Sequence, residues 1–264
     1  MSLLLKQFPA IKAIVLDMDG VLWRDREPIG DLPVLFKQIS DLGLKVILAT
    51  NNATRNVDEY LEKISGFGVT LEPWQIISSA IACGIYLKEK YPSGGKLYII
   101  GSPSLVSSLE SYGFQSAPEG ESVLAVVAGL DRQISYAKLR NATLQIYQGA
   151  LFLGTNPDRT FPTPEGLVPG AGSILAALEA ATYVKPVIAG KPSPLLYSIA
   201  MERLQTTPGD TIAVGDRFDT DIVGGQRAGL KTALLLSGVE SSANSADWVP
   251  PPDMLAADLT AVLF

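Results

Sequence analysis

Histidine is absent from this sequence, and cysteine occurs once, at Cys83. Without histidine, the chain cannot build Ser-His-Asp or Cys-His nucleophile systems, phosphohistidine or a histidine-ligated zinc site. One cysteine cannot close an internal disulfide, and this favours a reducing compartment, the cytoplasm. Any metal must therefore bind to oxygen ligands, which suit hard cations such as magnesium or calcium.

Basic clusters and long hydrophobic runs are also missing. The chain carries 21 lysines and arginines against 27 aspartates and glutamates, a formal net charge of −6. A nucleic acid polymer or an anionic membrane surface is therefore not the expected partner. No segment reaches the ~18–20 apolar residues of a membrane span, and the start of the sequence lacks the positive region and cleavage site of a signal peptide. We expect a cytoplasmic protein.

Short runs rich in valine and isoleucine alternate with helical patterns along the chain. Continuous apolar strands of this kind are typical of a parallel sheet covered on both faces by helices, an α/β fold. The strands predicted outside the middle of the chain are Ile11–Leu16, Leu44–Thr50, Trp74–Ser79, Thr211–Asp216 and Lys231–Ser237. The helices predicted between them are Pro33–Leu42, Asn56–Gly66, Pro194–Leu204 and Asp219–Ala228.

The middle of the chain has the same pattern as a block of its own. Its predicted elements are the strands Lys96–Ser102, Val123–Asp131 and Ala150–Asn156 and the helices Ser104–Tyr112 and Tyr136–Gln148, with Cys83 buried on a further helix. We predict a smaller α/β domain, 82–180, inserted into a core domain made of 1–81 and 181–264. One continuous large sheet is the alternative. The segment "SGVESSANSAD" and Pro250–Pro252 are predicted to be loops before a short C-terminal helix.

Polar residues follow the core strands, at the carboxyl ends where parallel sheets bind ligands. The residues are Asp17, Asp19, Thr50, Asn51, Asn52, Lys191, Asp216 and Asp221. Residues i and i+2 of a strand point to the same face, so Asp17 and Asp19 would repel each other unless a cation or a shared proton lies between them. Taken singly, a DxD pair is typical of turns, a lysine of solvated surface and "TNN" of a helix N-cap.

The combination of these residues suits magnesium and a phosphoryl group. Carboxylates hold magnesium, while a lysine, a threonine and backbone N–H groups hold phosphate oxygens. One carboxylate can attack phosphorus, and a second can donate a proton to the leaving alcohol and later take one from water.

Four motifs in this order, "DMDGVLW", "TNN", "GKPSP" and "GDRFDTDI", resemble those of the haloacid dehalogenase superfamily. The segment "LGTNPDRTFPTPEGLVPGAG" resembles its subfamily IIA, which contains NagD, p-nitrophenyl phosphatase, phosphoglycolate phosphatase and pyridoxal phosphatase. This resemblance spans nearly the whole chain. It implies a Rossmann-like core with an inserted α/β cap of the C2 type, and a homodimer through that cap. The implied activity is magnesium-dependent hydrolysis of a small phosphate monoester through an aspartyl-phosphate.

The resemblance implies catalytic and metal-binding roles for four aspartates. Asp17 would be the nucleophile and a Mg²⁺ ligand. Asp19 would be the general acid/base, and its backbone carbonyl would also contact the metal. Asp216 would bind Mg²⁺ directly, while Asp221 would act through water or hold the direct ligands.

The remaining motif residues are implied to bind phosphate or substrate. Thr50 and Asn51 would hold the transferring phosphoryl group, Asn52 would lie beside it, and Lys191 would neutralise its oxygens. Candidates for substrate contacts in the inserted domain are Asp131, Arg132, Asn156, Asp158 and Arg159, with Asn156 and Asp158 preferred. Trp23 and Pro28, after the first strand, either form a flap beside the site or only pack.

Two other functions stay open at this stage. A phosphotransferase or mutase would pass the aspartyl-phosphate to another alcohol, and a non-catalytic sensor would only bind a phosphorylated metabolite. The sequence has no G-x-G-x-x-G after the first strand and no G-x-x-x-x-G-K-[ST], which argues against a dinucleotide-binding protein and a P-loop kinase. The substrate, whether a nucleotide, phosphoglycolate, pyridoxal phosphate or a sugar phosphate, is not encoded in these motifs.

Overall fold

A computed structural model describes residues 2–163, 165–240 and 248–264 of the chain. The strands in this part are β1 (Ala13–Leu16), β2 (Trp23–Arg24), β3 (Glu27–Pro28), β4 (Lys45–Thr50), β5 (Ile76–Ser78), β6 (Gly95–Ile100), β7 (Phe114–Ser116), β8 (Ala125–Ala128), β9 (Leu151–Gly154), β10 (Thr160–Thr163), β11 (Gly166–Pro169), β12 (Val187–Ile188), β13 (Thr211–Gly215), β14 (Lys231–Leu235) and β15 (Met254–Ala256). The α-helices are α1 (Leu3–Gln7), α2 (Leu32–Asp41), α3 (Val57–Gly66), α4 (Ser79–Lys90), α5 (Pro103–Ser111), α6 (Tyr136–Tyr147), α7 (Ala171–Thr182), α8 (Leu195–Leu204), α9 (Val223–Arg227) and α10 (Leu259–Leu263). Most of the predicted serine-rich loop, residues 241–247, lies outside the described residues.

The first of two compact units is made of residues 1–50, 57–77 and 192–264. Its six-stranded sheet has the order β15-β14-β13-β1-β4-β5. In the parallel register, Leu16 of β1 lies beside Val214 of β13 on one side and Leu48 of β4 on the other. All residues of β1 and β13 are buried, as expected for a sheet covered on both faces. The carboxyl ends of three neighbouring strands, β13, β1 and β4, therefore lie at one edge.

Helix α2 of this unit follows ordinary capping and periodicity rules. In α2, the Asp31 side chain accepts a hydrogen bond from the Val34 N–H and so caps the first turn. The apolar residues Leu32, Leu35 and Ile39, spaced by three and four, are buried in the main hydrophobic core. This spacing fixes which face of the helix packs inward.

The second unit is made of residues 51–56 and 78–191, so its main segment interrupts the first unit in the sequence. It has its own five-stranded parallel sheet, in the order β12-β9-β8-β6-β7, and the antiparallel hairpin β10–β11. The two larger sheets are separate, so the alternative of one continuous sheet is wrong. The predicted α/β fold with an inserted α/β domain is confirmed.

The edges of the second unit differ from the predicted block 82–180 because of local contacts. Helix α4 already begins at Ser79, since the Ser78 side chain accepts a hydrogen bond from the Ile81 N–H and caps it. At the other end, β12 pairs with β9 and keeps the chain in this unit up to Lys191.

The predicted strands and helices are present, with ends shifted by up to three residues. The exception is the predicted helix Asp219–Ala228, which begins with a π-helical turn, Phe218–Ile222, before α9. The sequence patterns do not predict β7, β12, β15 or the hairpin β10–β11, because strands of two to four residues are too short to show a period.

Cys83 lies on α4, where it is fully buried, as predicted. Burial raises the pKa of its thiol, so the thiolate that reacts with oxidants and metals is disfavoured. None of the described helices has the length and apolar character needed to span a membrane.

Candidate active site

Three carboxylates of the first unit converge at the ends of two neighbouring strands. Asp17 follows β1, and its N–H donates to the Val214 carbonyl at 2.9 Å, which continues the sheet ladder. Asp216 follows β13, and Asp221 lies in the π-helical turn after it. One carboxylate oxygen from each of these three aspartates lies within 4.8 Å of the other two.

This set of oxygens fits a small, hard cation. Asp216 and Asp221 are each only 2% exposed, and buried carboxylates at this separation repel each other unless a cation offsets their charge. Magnesium binds oxygen at 2.0–2.1 Å, so two ligands on opposite sides of the ion are about 4.2 Å apart. The oxygens of Asp17, Asp216 and Asp221 are close enough for a small shift to bring all three onto one ion.

One backbone N–H binds the carboxylate of Asp216, and two glycines leave the space that this carboxylate occupies. The Val239 N–H donates to Asp216 Oδ2 at 2.8 Å. A Cβ at Gly238 would lie 1.9 Å from the same oxygen, and a Cβ at Gly20 would lie 2.3 Å from it. Gly20 also has φ +83°, a conformation that favours glycine. Gly238 was not among the predicted site residues, because it belongs to none of the four motifs and only the folded structure shows how close it lies to Asp216.

The π-helical turn places Asp221 against the end of β13. Its Oδ2 accepts from the Arg217 N–H at 3.1 Å, and its carbonyl accepts from the Tyr197 hydroxyl at 2.9 Å. A Cβ at Gly215 would lie 2.2 Å from the Asp221 Cβ, so only glycine permits this approach. The wide turn, of a kind common at functional sites, explains why a regular helix prediction fails here.

Asp19 lies outside this cluster of carboxylates. Its side chain is exposed, and its Oδ1 accepts a hydrogen bond from Nε1 of Trp23 at 2.8 Å. The Trp23 ring is fully buried, so it packs in the core as one of the two predicted alternatives states. The same ring also contacts Asp19, the predicted acid.

Thr50 is the buried last residue of β4, beside the end of β1. The next residues, Asn51 and Asn52, belong to the second unit. Asn52 Oδ1 accepts from the N–H and the hydroxyl of Thr54 at 2.8 and 2.7 Å, and so closes a turn.

Asn51 and Lys191, both in the second unit, form a close pair. Asn51 Oδ1 accepts from the Lys191 N–H at 2.7 Å, and Asn51 Nδ2 donates to the Lys191 carbonyl at 2.9 Å. Nδ2 also lies 3.3 Å from Oδ2 of Asp158. A Cβ at Gly190 would lie 2.6 Å from Asn51 Oδ1, so glycine is needed beside the pair. Direct binding of phosphate by Asn51 and Lys191 stays a prediction.

Asn156 supports this pair. Its Nδ2 donates to the Asn51 carbonyl at 2.8 Å and to the Thr155 hydroxyl at 3.3 Å, and its Oδ1 accepts from the Asp158 N–H at 3.2 Å. The Ser79 hydroxyl donates to the same Asn51 carbonyl. Substrate contacts by Asn156 and Asp158 stay predictions, and the structure adds this supporting role for Asn156.

The other candidates in the second unit have contacts of their own. Asp131 accepts from the Gln133 N–H at 2.8 Å and from Lys138 Nζ at 2.6 Å. The Arg132 guanidinium lies 5.8 Å from the centre of the Phe161 ring. Asp131 is thus part of a local network rather than an isolated charge.

Family comparisons match both ends of the chain. Residues 14–115 match a model described as haloacid dehalogenase-like hydrolase, and residues 188–262 match one described as HAD-hydrolase-like. The acid sugar phosphatases of Staphylococcus saprophyticus and Staphylococcus aureus are 31% and 32% identical to the chain over 252 residues, which is 96% of either chain.

Solved structures of phosphatases share the fold. The p-nitrophenyl phosphatase from Archaeoglobus fulgidus matches with a TM-score of 0.90 and 29% identity, over 96% of this chain and 98% of that one. The glycerol phosphate phosphatase from Mycobacterium tuberculosis, solved in complex with magnesium, matches with a TM-score of 0.87 and 32% identity. That match covers 97% of this chain and 77% of the mycobacterial one.

Proposed function

The chain belongs to the haloacid dehalogenase-like hydrolases and is a phosphomonoesterase, and from this premise we propose that it hydrolyses small phosphate monoesters with Mg²⁺ through an aspartyl-phosphate on Asp17. The observation that carries the proposal is the convergence of Asp17, Asp216 and Asp221 at the carboxyl ends of β1 and β13. Carboxylates this close repel one another, and a cation bound between them would offset that repulsion.

Asp17 attacks the phosphorus atom in this mechanism. The attack forms a bond from a carboxylate oxygen to phosphorus and breaks the bond from phosphorus to the leaving oxygen. Asp17, Asp216 and Asp221 would hold Mg²⁺, with the carbonyl of Asp19 as a further oxygen ligand. The bound ion would offset the charge of the phosphoryl oxygens and of the attacking carboxylate.

Asp19 moves the proton in both half-reactions. In the first, it gives a proton to the leaving alcohol, which would otherwise depart as a high-energy alkoxide. In the second, it takes a proton from water while that water attacks the phosphorus atom, which breaks the bond from phosphorus to the Asp17 oxygen and releases phosphate. Its exposed carboxyl suits this role, since a substrate and a water molecule can reach it.

Thr50, Asn51 and Lys191 are proposed to bind the phosphoryl group because of their places in the "TNN" and "GKPSP" motifs. Thr50 would donate from its hydroxyl, Asn51 and Asn52 would face the phosphate and the substrate, and Lys191 would supply positive charge. Removing one such charge contact typically lowers the rate ~10²–10³-fold.

The proposed substrate is a small phosphorylated metabolite, with a sugar or polyol phosphate as the first choice. Two matched relatives carry names that specify such substrates, an acid sugar phosphatase and a glycerol phosphate phosphatase. The net charge of −6 does not favour polyanions. A cytoplasmic location and a homodimer through the inserted domain are further proposals, the first based on the single reduced cysteine.

A substrate panel with two variants tests the proposal. Phosphate release from p-nitrophenyl phosphate, glycerol phosphate, glucose 6-phosphate and phosphoglycolate is measured with Mg²⁺ and with a chelator. We expect turnover that stops with the chelator and is abolished in Asp17→Asn, because an amide is a poor nucleophile and a poor Mg²⁺ ligand. Full activity in metal-free buffer would refute the metal assignment. Rapid transfer to an added alcohol with slow hydrolysis would identify a phosphotransferase instead.

A further inference from the structure

The structure assigns Trp23 a positioning role: its indole N–H fixes the carboxyl group of Asp19, so that the proton for the leaving group is carried on Oδ2. The hydrogen bond from Trp23 Nε1 to Asp19 Oδ1 is 2.8 Å long. The Trp23 ring is fully buried and Asp19 is exposed, so the packed ring holds its N–H in place for the carboxyl group of Asp19. The inference rests on the proposed function, in which Asp19 is the general acid.

A tight turn brings these two residues together. The Gly20 N–H donates to the Trp23 carbonyl at 2.8 Å, and the Leu22 N–H donates to the Met18 carbonyl at 2.8 Å. Gly20 adopts φ +83°, which lets the chain reverse between Asp19 and Trp23. The indole therefore returns over the carboxylate four residues before it.

The chemistry of indole decides which oxygen carries the proton. The Nε1–H group of tryptophan can donate a hydrogen bond and cannot accept one. Oδ1 of Asp19 must therefore direct a lone pair towards Trp23 in both protonation states. A carbonyl oxygen accepts a hydrogen bond more strongly than a hydroxyl oxygen does, so this geometry favours Oδ2 as the oxygen that carries the proton of the acid. As the bond from phosphorus to the leaving oxygen breaks, this proton passes to that oxygen, and Asp19 becomes a carboxylate that still accepts from Trp23.

Two neighbours hold the indole ring in place. The Lys63 ammonium lies 4.1 Å from the ring centroid and also donates to the Asp25 carbonyl at 2.8 Å. The Phe67 ring packs against Trp23 with 5.9 Å between centroids. A cation over the ring face draws electron density from the indole, which makes its N–H a stronger donor. Lys63 thereby supports the bond to Asp19 without touching it.

The test compares leaving groups that need a proton with one that does not. Trp23→Phe keeps a buried ring but removes the donor. We expect kcat/KM for glycerol phosphate to fall about 10- to 100-fold, the scale on which misplacing a catalytic group acts, through kcat rather than KM. The same constant for p-nitrophenyl phosphate should change little, because p-nitrophenolate leaves without a proton. Equal losses on both substrates would overturn the inference.

A double variant shows whether Trp23 acts through Asp19. On glycerol phosphate, Trp23→Phe combined with Asp19→Asn should be no slower than Asp19→Asn alone, because the positioned acid is already gone. Additive losses would overturn the inference. Ile39→Val on α2, a packing change in the same hydrophobic core but outside the Trp23, Lys63 and Phe67 group, is the control and should leave the ratio of the two substrates unchanged.

Two arms keep the test decisive. If Trp23→Phe does not unfold cooperatively on heating, and so is not properly folded, Lys63→Gln is used in its place. Lys63→Gln should lower the ratio of kcat/KM for glycerol phosphate to that for p-nitrophenyl phosphate by a smaller factor. An unchanged ratio would then overturn the inference. If Asp19→Asn itself fails to slow glycerol phosphate selectively, the acid role in the proposed function is at fault. If Asp19→Asn is selective and Trp23→Phe is not, only the role of Trp23 is wrong.

Discussion

The side-chain amide of Asn51 satisfies both main-chain groups of Lys191, accepting from its N–H at 2.7 Å and donating to its carbonyl at 2.9 Å. Both residues are buried, so water cannot easily replace either bond. The pair fixes the backbone from which the Lys191 side chain projects. Asn51 thus has a structural task in addition to the phosphate contact proposed for it.

We predict that Asn51→Ala lowers both stability and activity. The two buried groups of Lys191 would lose their partners, at a cost of about 1–3 kcal/mol for each group. A decrease in the free energy of unfolding, measured in urea, should accompany a fall in kcat. Asn141→Ala, which removes an amide on α6 of the same unit, is the control and should cost far less. Equal losses in the two variants would show that the pair with Lys191 contributes nothing specific.

The sequence predicts the candidate site residues better than it predicts the neighbouring residues that hold them in place. Asp17, Asp19 and Asp216 are predictable because each follows an apolar strand, and local patterns encode strand ends. The pair between Asn51 and Lys191 joins residues 140 positions apart, so no local pattern contains it.

Local sequence patterns also fail to predict the requirement for Gly238 and the shape of the turn that contains Asp221. The need for Gly238 arises only from the position of Asp216 Oδ2 across the fold. In the π-helical turn Phe218–Ile222, the Asp221 carbonyl accepts from the Tyr197 hydroxyl, a contact between distant residues that local propensities do not contain. The order of the motifs therefore predicts the reaction class, while the contacts that position the motif residues depend on long-range packing.

We predict that Gly238→Ala weakens Mg²⁺ binding. The added Cβ would lie 1.9 Å from Asp216 Oδ2, so the carboxylate or the backbone at 238 must move. Disturbing the groups that orient a metal ligand typically costs 10–100-fold in affinity, so a loss of about this size is expected by titration calorimetry. Gly209→Ala is the control, because a Cβ there has no atom within 4 Å and its φ is not positive. Unchanged Mg²⁺ affinity in Gly238→Ala would mean that the backbone at 238 moves instead of the carboxylate and that metal binding does not require glycine there.

A third prediction separates the two aspartates of the "FDTDI" segment. Asp221→Asn should weaken Mg²⁺ binding and lower kcat, since Asp221 is buried and its carboxylate approaches Asp17 and Asp216. Asp219→Asn is the matched control: its side chain is 64% exposed and pairs with Arg217, and exposed pairs of this kind contribute little. The Mg²⁺ concentration for half-maximal activity should rise in the first variant only. A rise of equal size in both would indicate a general effect of negative charge.

The last prediction concerns Asn156 and Asp158 of the second unit. Asn156→Ala removes the donor to the Asn51 carbonyl and the acceptor for the Asp158 N–H. We therefore expect it to lower kcat/KM for all substrates by a similar factor, through the Asn51–Lys191 pair. Asp158→Asn removes one negative charge and keeps an oxygen that can accept from Asn51 Nδ2. If Asp158 faces the leaving group, this variant should favour phosphoglycolate, whose leaving group is anionic, over glycerol phosphate, because a repulsion is removed.

The measurement is the ratio of kcat/KM for phosphoglycolate to that for glycerol phosphate in each variant, with p-nitrophenyl phosphate and Mg²⁺ affinity as common references. A ratio that rises in Asp158→Asn and stays constant in Asn156→Ala would assign specificity to Asp158 and support to Asn156. A ratio that stays constant in both would place specificity elsewhere in the second unit, with Arg132 and Arg159 as the next residues to test. Loss of Mg²⁺ binding in either variant would contradict the division in which the metal ligands belong to the first unit alone.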